Sequence, residues 1–204
     1  PGLRFLSEYR PAYSVGCDFF DVFWQAQDRI GCVIGDVSGK GVAAALLMAR
    51  VSSDLRTAMS TEPGPAAALA RVNRELVARA QHDIFVTAVV LSIHVPTRTI
   101  TLANAGHMPP YVRRTAPGDL LKIEAGTSSA VGLFEDMPFE ETTIRLEQGD
   151  TVVLTTDGVH EATNARGEQL GFEGDERALA QGPADPEGLA DRLSIPSLVI
   201  LAML

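Results

Sequence analysis

Between Val33 and Arg50 the chain reads VIGDVSGKGVAAALLMAR. An apolar run meets Asp36, turns through Ser38, Gly39 and Gly41 around Lys40, and resumes as an apolar series at helical spacing. The first part predicts a buried strand. Ala44, Leu47, Met48, Val51, Leu55 and Met59 predict a helix over 42–59. No other stretch constrains the fold so tightly. It demands a strand that ends in a carboxylate, a turn through two glycines, and a helix that follows as scaffold.

Elsewhere period-2 apolar patterns dominate. Residues 22–27 and 29–34 read as two strands joined around Asp28, and 84–95 and 99–105 as a hairpin around Pro96-Thr97-Arg98. Further strands are predicted over 111–114, 120–124, 142–146 and 151–155. The nearly all-apolar run 198–204 reads as a strand in a central position. A second helix is predicted over 65–79 after the breaker Glu62-Pro63-Gly64-Pro65, and shorter ones over 175–180 and 186–193. Strands followed by two helices and then many strands give an α+β fold, with helices covering mostly antiparallel sheet.

A length of 204 residues suits one domain over 1–204. The opening PGLRFLSEYRP reads as a strand entered partway, so the expectation is a piece of a longer regulator. No apolar run reaches membrane-spanning length. Cys17 and Cys32 make no disulfide framework, which predicts a reducing, cytoplasmic setting. The net charge of −9, without a basic run, argues against nucleic acid as a partner. An acidic protein acting on an anionic substrate needs cations of its own.

Three stretches bring the chemistry forward: VGCDFFD (15–21), VIGDVSGKG (33–41) and VVLTTDGVHE (152–161). Each sets an Asp at or just beyond a strand pattern. A single Asp there is usually a cap or turn former. Three are harder to dismiss, because carboxylates about 4 Å apart at an effective dielectric near about 20 repel by about 4 kcal/mol per pair. Such a cluster persists when cations neutralise it. Asp and backbone carbonyl oxygens suit Mg²⁺ or Mn²⁺, and no His/Cys set has zinc spacing. The small residues after Asp36 let the Val37 carbonyl approach a metal and a phosphate approach the helix start, where Lys40 favours an anion. GDVSGKGV lacks the spacing of a Walker loop.

GCDFFD, GDVSGKGVAAALLMAR, FVTAVV, ANAGHMPP, AVGL and LTTDGVHEATNARGEQLGFE together resemble the bacterial SpoIIE/RsbU-type serine phosphatases. These belong to the metal-dependent superfamily that includes PP2C. The resemblance runs from Tyr9 to Phe172, about four-fifths of the chain. It implies a PP2C-like β-sandwich flanked by α-helices, with two Mn²⁺ or Mg²⁺ ions in an acidic cleft. It also implies that Asp36 bridges both ions, the Val37 carbonyl binds one, and Asp157 binds the other. Asp18 acts directly or through water, with Asp21 close by, so the implied catalytic set is Asp36, Asp157 and Asp18. A metal-activated water would attack phosphorus. The implied substrate is a phosphorylated STAS-domain anti-anti-sigma protein in a partner-switching pathway, under an upstream sensor or receiver domain. The helices from Val42 and Pro65 resemble a pair that relays a sensor signal in relatives.

One part departs from the pattern. Relatives carry Asp-Asp before the last strand, where this chain has RLSIPSLVILAML, with Ser194, Ile195 and Pro196 at the matching place. Three readings stand: a loop bearing the acids is missing from this sequence, metal binding is naturally weak, or Asp185 or Asp191 serves instead. The second makes a pseudo-phosphatase that binds the partner or relays a signal the alternative to an enzyme. His107 could donate a proton to the leaving serine oxygen or simply hold its loop. Lys40, His107 and Gly158 are the candidate phosphate contacts. Trp24 reads as a core or sheet-face residue, and the stripe Leu47, Met48, Val51 and Leu55 as core or, if exposed, a homodimer surface.

Overall fold

In chain order the elements are β1 (Leu3–Tyr9), β2 (Asp18–Ala26), β3 (Arg29–Val37), α1 (Val42–Thr61), α2 (Pro65–Val77), β4 (Val86–His94) and β5 (Thr99–Ala105). Then come β6 (Tyr111–Arg113), β7 (Leu120–Lys122), β8 (Thr127–Ser128), β9 (Thr142–Arg145), β10 (Thr151–Thr155), α3 (Gly171–Gln181) and β11 (Ser197–Met203). The structure is a computed structural model and describes residues 2–9, 16–79, 84–115, 119–162, 166–167, 169–182, 187–189 and 197–203. Contacts gather the chain into two units. One is Tyr13–His107 with Glu124–Arg145; the other is Pro1–Ala12, Met108–Ile123 and Leu146–Leu204.

The first unit holds a sheet in the order β2-β3-β4-β5-β8, with β9 also pairing β5. All its named pairings are antiparallel except β5 with β8. The alternation of side chains sorts β2 and β3 into two faces. Phe19, Phe23, Val33 and Val37 point one way, into the cluster that Leu47, Val51, Leu55, Leu69 and Val72 build from α1 and α2. Phe19 lies opposite Gly35 and Phe23 opposite Gly31. A Cβ on either glycine would meet the facing ring at 2.7 or 2.6 Å, so these glycines make room for the aromatic layer under α1. The stripe Leu47, Val51 and Leu55 is therefore core. Trp24 is 69% exposed because β2 is an edge strand in this sheet and Trp24 sits near its far end.

The turn between β3 and α1 depends on Gly39 and Gly41, whose φ values of 111° and 85° lie in the region that suits glycine. Helix α2 begins with Pro65, where a missing N–H is harmless, and the next N–H, from Ala66, donates to Glu141 Oε2 at 3.1 Å. Buried Asn73 clamps the segment after β8. Its amide donates to the carbonyls of Phe134 and Glu135, and its Oδ1 accepts from the Gly132 N–H.

The second unit holds the sheet β1-β11-β10-β6-β7, every named pairing antiparallel. β11 lies between β1 and β10, in keeping with its apolar run. β10 is buried throughout. Tyr111, Val153, Val159, Leu179 and Leu189 form its cluster with α3. Asp150 is 1% exposed and bonded to Arg114 at 2.5 Å, which compensates a buried charge.

The α+β expectation of mostly antiparallel sheets with helices is borne out. Strand β2 starts at Asp18, four residues ahead of the predicted 22, and α3 runs beyond the predicted 175–180. Of the predicted 186–193 helix, 187–189 are helical and the rest lies outside the described residues.

Leu55 is fully buried and Leu46, on the same helix, is 68% exposed. Leu55→Ala is expected to lower the unfolding free energy by about 2–5 kcal/mol and Leu46→Ala by under about 0.5 kcal/mol, read from urea titrations. Burial pushes the Asp175 carboxyl up to about 6 from 3.8, with Glu176 adding to the rise and His160 opposing it. A raised acid favours the folded state while protonated, and that advantage is lost as pH rises from about 4 through about 6. Asp175→Asn should therefore gain stability relative to the parent by about 1–3 kcal/mol between pH 4 and 7, measured as the difference between paired denaturation curves.

Candidate active site

Asp18 is the first residue of β2 and Asp36 the second-last of β3, and the antiparallel register sets them directly opposite each other. Directly opposite residues hold their Cβ atoms about 4.5–5.5 Å apart and share a face. That face is the one turned away from α1 and α2, because Phe19 and Val37, one residue on, point into the helix-covered core. Next to Asp36 across β4 comes Thr87. Asp18, Asp36 and Thr87 thus form one row across three strands, at the end of the sheet where β3 turns into α1.

Cys17 reports on this pair from the side. Its thiol donates to the Gly39 carbonyl at 3.4 Å, and its pKa is raised by burial, then by Asp36, then by Asp18. Both carboxylates therefore reach one thiol electrostatically, adding to the effect of burial. Cys32 is fully buried, its thiol pushed up to about 12 by burial and by Asp21. The donor atoms at the row are oxygens, a set that fits a hard divalent ion keeping several waters. Among the described residues no group of three or more His, Cys, Asp or Glu side chains gathers to hold a metal. Two carboxylates, a main-chain carbonyl and water are a sufficient shell for Mg²⁺ or Mn²⁺.

Val37 is buried in the core by its side chain, and its N–H donates to the Cys17 carbonyl at 3.3 Å. Lys40 is exposed in the turn between Gly39 and Gly41. His107 is 8% exposed and follows β5. Its ring Nδ1 lies 2.9 Å from Thr87 Oγ1, while its main chain is gripped by Asn104.

Asp21 is not in this row. Three residues beyond Asp18, it takes the opposite face of β2, and Arg56 of α1 clasps it with two bonds of 2.6 and 2.5 Å. Arg56 also lies over the Phe23 ring at 4.6 Å. Asp21 thus ties β2 to α1.

Asp157 belongs to the second unit, where it is exposed just past β10 and its carbonyl accepts from the Glu161 N–H at 3.1 Å. Gly158 follows in the same turn. His160 stacks on Phe172 with ring centroids 4.5 Å apart, a packing role. Ser194, Ile195 and Pro196, and Asp185 and Asp191, lie outside the described residues. Thr87 and Asn104 were absent from the expected set, although both stand in the motifs FVTAVV and ANAGHMPP. No helix among the described residues is long and apolar enough to cross a membrane.

The PP2C phosphatase domain of SpoIIE from Bacillus subtilis, solved with a fragment of its regulatory domain, aligns over 98% of this chain and 62% of that one. Its TM-score is 0.81 at 17% identity. The RsbU and RsbW domains of Rv1364c from Mycobacterium tuberculosis align over 98% of this chain and 60% of that one, with TM-score 0.78 and 25% identity. The chain has the fold of PP2C phosphatase domains. Residues 26–194 match the family described as Stage II sporulation protein E (SpoIIE), and the chain belongs to that family. Phosphoserine phosphatase RsbU of Bacillus subtilis (strain 168) is 27% identical over 157 residues, 77% of this chain and 46% of RsbU. The chain thus spans just under half the length of that relative.

Opposed like charges destabilise a strand pair. In protein freed of divalent ions, Asp18→Asn and Asp36→Asn should each raise the unfolding free energy by about 0.2–1 kcal/mol. Arg56→Ala, which removes the tie to Asp21, should lower it by about 0.2–1 kcal/mol in the same denaturation series.

Proposed function

We propose that this chain is the phosphatase domain of a metal-dependent protein serine/threonine phosphatase. Its substrate would be a phosphorylated STAS-domain anti-anti-sigma protein, and its cofactors two Mn²⁺ or Mg²⁺ ions. The observation that carries the reading is the opposed pair Asp18 and Asp36 at the mouth of a glycine turn, within a chain of the SpoIIE family. Asp36, Asp18 and the Val37 carbonyl are the proposed ligands in the first unit. Asp157 as a metal ligand and Gly158 as a phosphate contact are proposed on the TTDG motif alone. Asp21 is assigned to the scaffold through Arg56.

When bound, the cations supply an acidified water and offset charge on the phosphoryl oxygens. The chain's own residues do the rest. The β2–β3 register holds two carboxylates at a fixed spacing. Gly39 and Gly41 keep the turn beside them free of side-chain bulk, and Lys40 in that turn offers a positive group to an incoming phosphate. With a net charge of −9, the protein benefits from bound cations when it holds an anionic phosphoprotein. The upstream sensor or receiver domain of the resemblance would act through α1, which Arg56 ties to the strand bearing Asp18.

The test is a manganese and magnesium titration with p-nitrophenyl phosphate and with a phosphoserine STAS-domain protein. Turnover should appear with added metal and disappear with chelator. Asp36→Asn and Asp157→Asn should each lower kcat by at least about 100-fold, in the range of lost metal and electrostatic catalysis. Absence of turnover at every metal concentration, with the STAS protein still bound, would overturn the enzymatic reading and leave a binding role.

A further inference from the structure

The segment that follows β8 is clamped from beneath. Asn73, buried in α2, donates to the carbonyls of Phe134 and Glu135 at 2.8 and 3.2 Å and accepts the Gly132 N–H at 2.8 Å. Val131 exchanges two main-chain bonds with Val86 at the start of β4, at 2.8 and 2.9 Å. Yet the side chains carried on this fixed backbone are left in water: Leu133 is 45% exposed and Phe134 58%. Neighbouring large apolar groups held in water gain nothing within the fold, whereas anchors on an ordered backbone are what a binding surface uses.

The apolar pair adjoins the acid row. A Cβ on Gly132 would stand 3.8 Å from the Cα of Phe85, which is also exposed. The Phe85 carbonyl accepts the Ser38 N–H, and the Phe85 N–H donates to Ser38 Oγ, each at 2.9 Å. Ser38 is two residues past Asp36, and Phe85 two residues before Thr87, the partner of Asp36 across β3–β4. Charge narrows what can settle there. Residues 133–141 hold four acids, Glu135, Asp136, Glu140 and Glu141, and no Lys or Arg. All four are exposed. An acidic rim repels nucleic acid, an anionic lipid surface and the same patch on a second copy, and it attracts a basic protein segment.

We propose that Leu133 and Phe134 dock the phosphoserine protein itself, by taking an apolar side chain close in sequence to the phosphoserine, while Glu135 and Asp136 take a Lys or Arg beside it. This rests on the phosphatase reading above and deepens it by naming what flanks the phosphoserine. The cations and Lys40 answer to the phosphate, which every phosphomonoester carries. The apolar pair and its acids answer to the chain around it. Such a surface lowers KM for the matching phosphoprotein and does nothing for a small phosphomonoester.

The experiment uses two phosphoserine peptides of equal length, one with Leu and Arg beside the phosphoserine and one with Ala and Glu in their places, together with p-nitrophenyl phosphate, all with manganese. The parent should favour the Leu/Arg peptide by at least about tenfold in kcat/KM, the scale of an aromatic anchor at an interface. Phe134→Ala should remove most of that preference through KM, with kcat little changed. The double variant Glu135→Lys, Asp136→Lys should weaken it most at low salt. Turnover of p-nitrophenyl phosphate should stay within about twofold of the parent in both variants. Light scattering reports whether a second copy is the occupant instead. Equal kcat/KM on the two peptides, a preference that survives Phe134→Ala, a loss shared by p-nitrophenyl phosphate, or a parental dimer that Phe134→Ala dissociates would overturn the proposal. Metal-dependent turnover of p-nitrophenyl phosphate would still leave the phosphatase reading standing. A parent inert toward all three substrates would overturn both.

Discussion

Two like charges face each other across a pair of hydrogen-bonded strands, and most of what is distinctive in the first unit arranges itself around them. Asp18 and Asp36 are fixed by the β2–β3 register, and the register is fixed by what lies on the other face. Phe19 over Gly35 and Phe23 over Gly31 admit no slip, since a one-residue shift would drive rings into Cβ atoms and carry the acids into the helix-covered core. Aromatic packing on one side therefore sets carboxylate spacing on the other. A cation between the two carboxylates turns their opposition into a favourable arrangement.

Helix α1 is linked to this arrangement twice. It grows from the turn that follows Asp36, and it reaches back through Arg56 to Asp21 on the strand that starts with Asp18. A displacement of α1 along its axis would be felt at both acids. The bidentate geometry makes that coupling directional in a way that apolar contact is not. The thiol of Cys17 beside the pair donates to the Gly39 carbonyl in the turn between β3 and α1.

Much of this was legible from the residues. The strand–turn–helix over 33–50, the hairpin 84–105 and the central place of the last strand all came from period and punctuation, because each is a local matter of side-chain alternation and glycine placement. Asp36 and Asp18 could be named for the same reason. The face taken by Asp21 was readable from parity: three residues from Asp18 means the opposite face, where Arg56 holds it. Thr87 and Asn104 were beyond local reading, since their meaning comes from a register linking β3, β4 and β5 and from a loop folding back onto it. Asp175 carried no signal at all, as its perturbation is a product of burial in α3.

β1 and β11 lie at opposite ends of the described chain, yet Leu3 pairs Met203 and Tyr9 pairs Ser197. Few pairings in a domain of this size span so much contour. The first unit draws on nearly continuous chain, and its β2–β3 and β4–β5 pairs close over short loops. The second cannot complete its sheet until the final strand is available. During synthesis β1 is made well before its pairing partner β11, with nearly the whole of this sequence between them. Contact order of this kind makes the second unit the slow step in maturation and the place where the nascent chain is most open to mispairing.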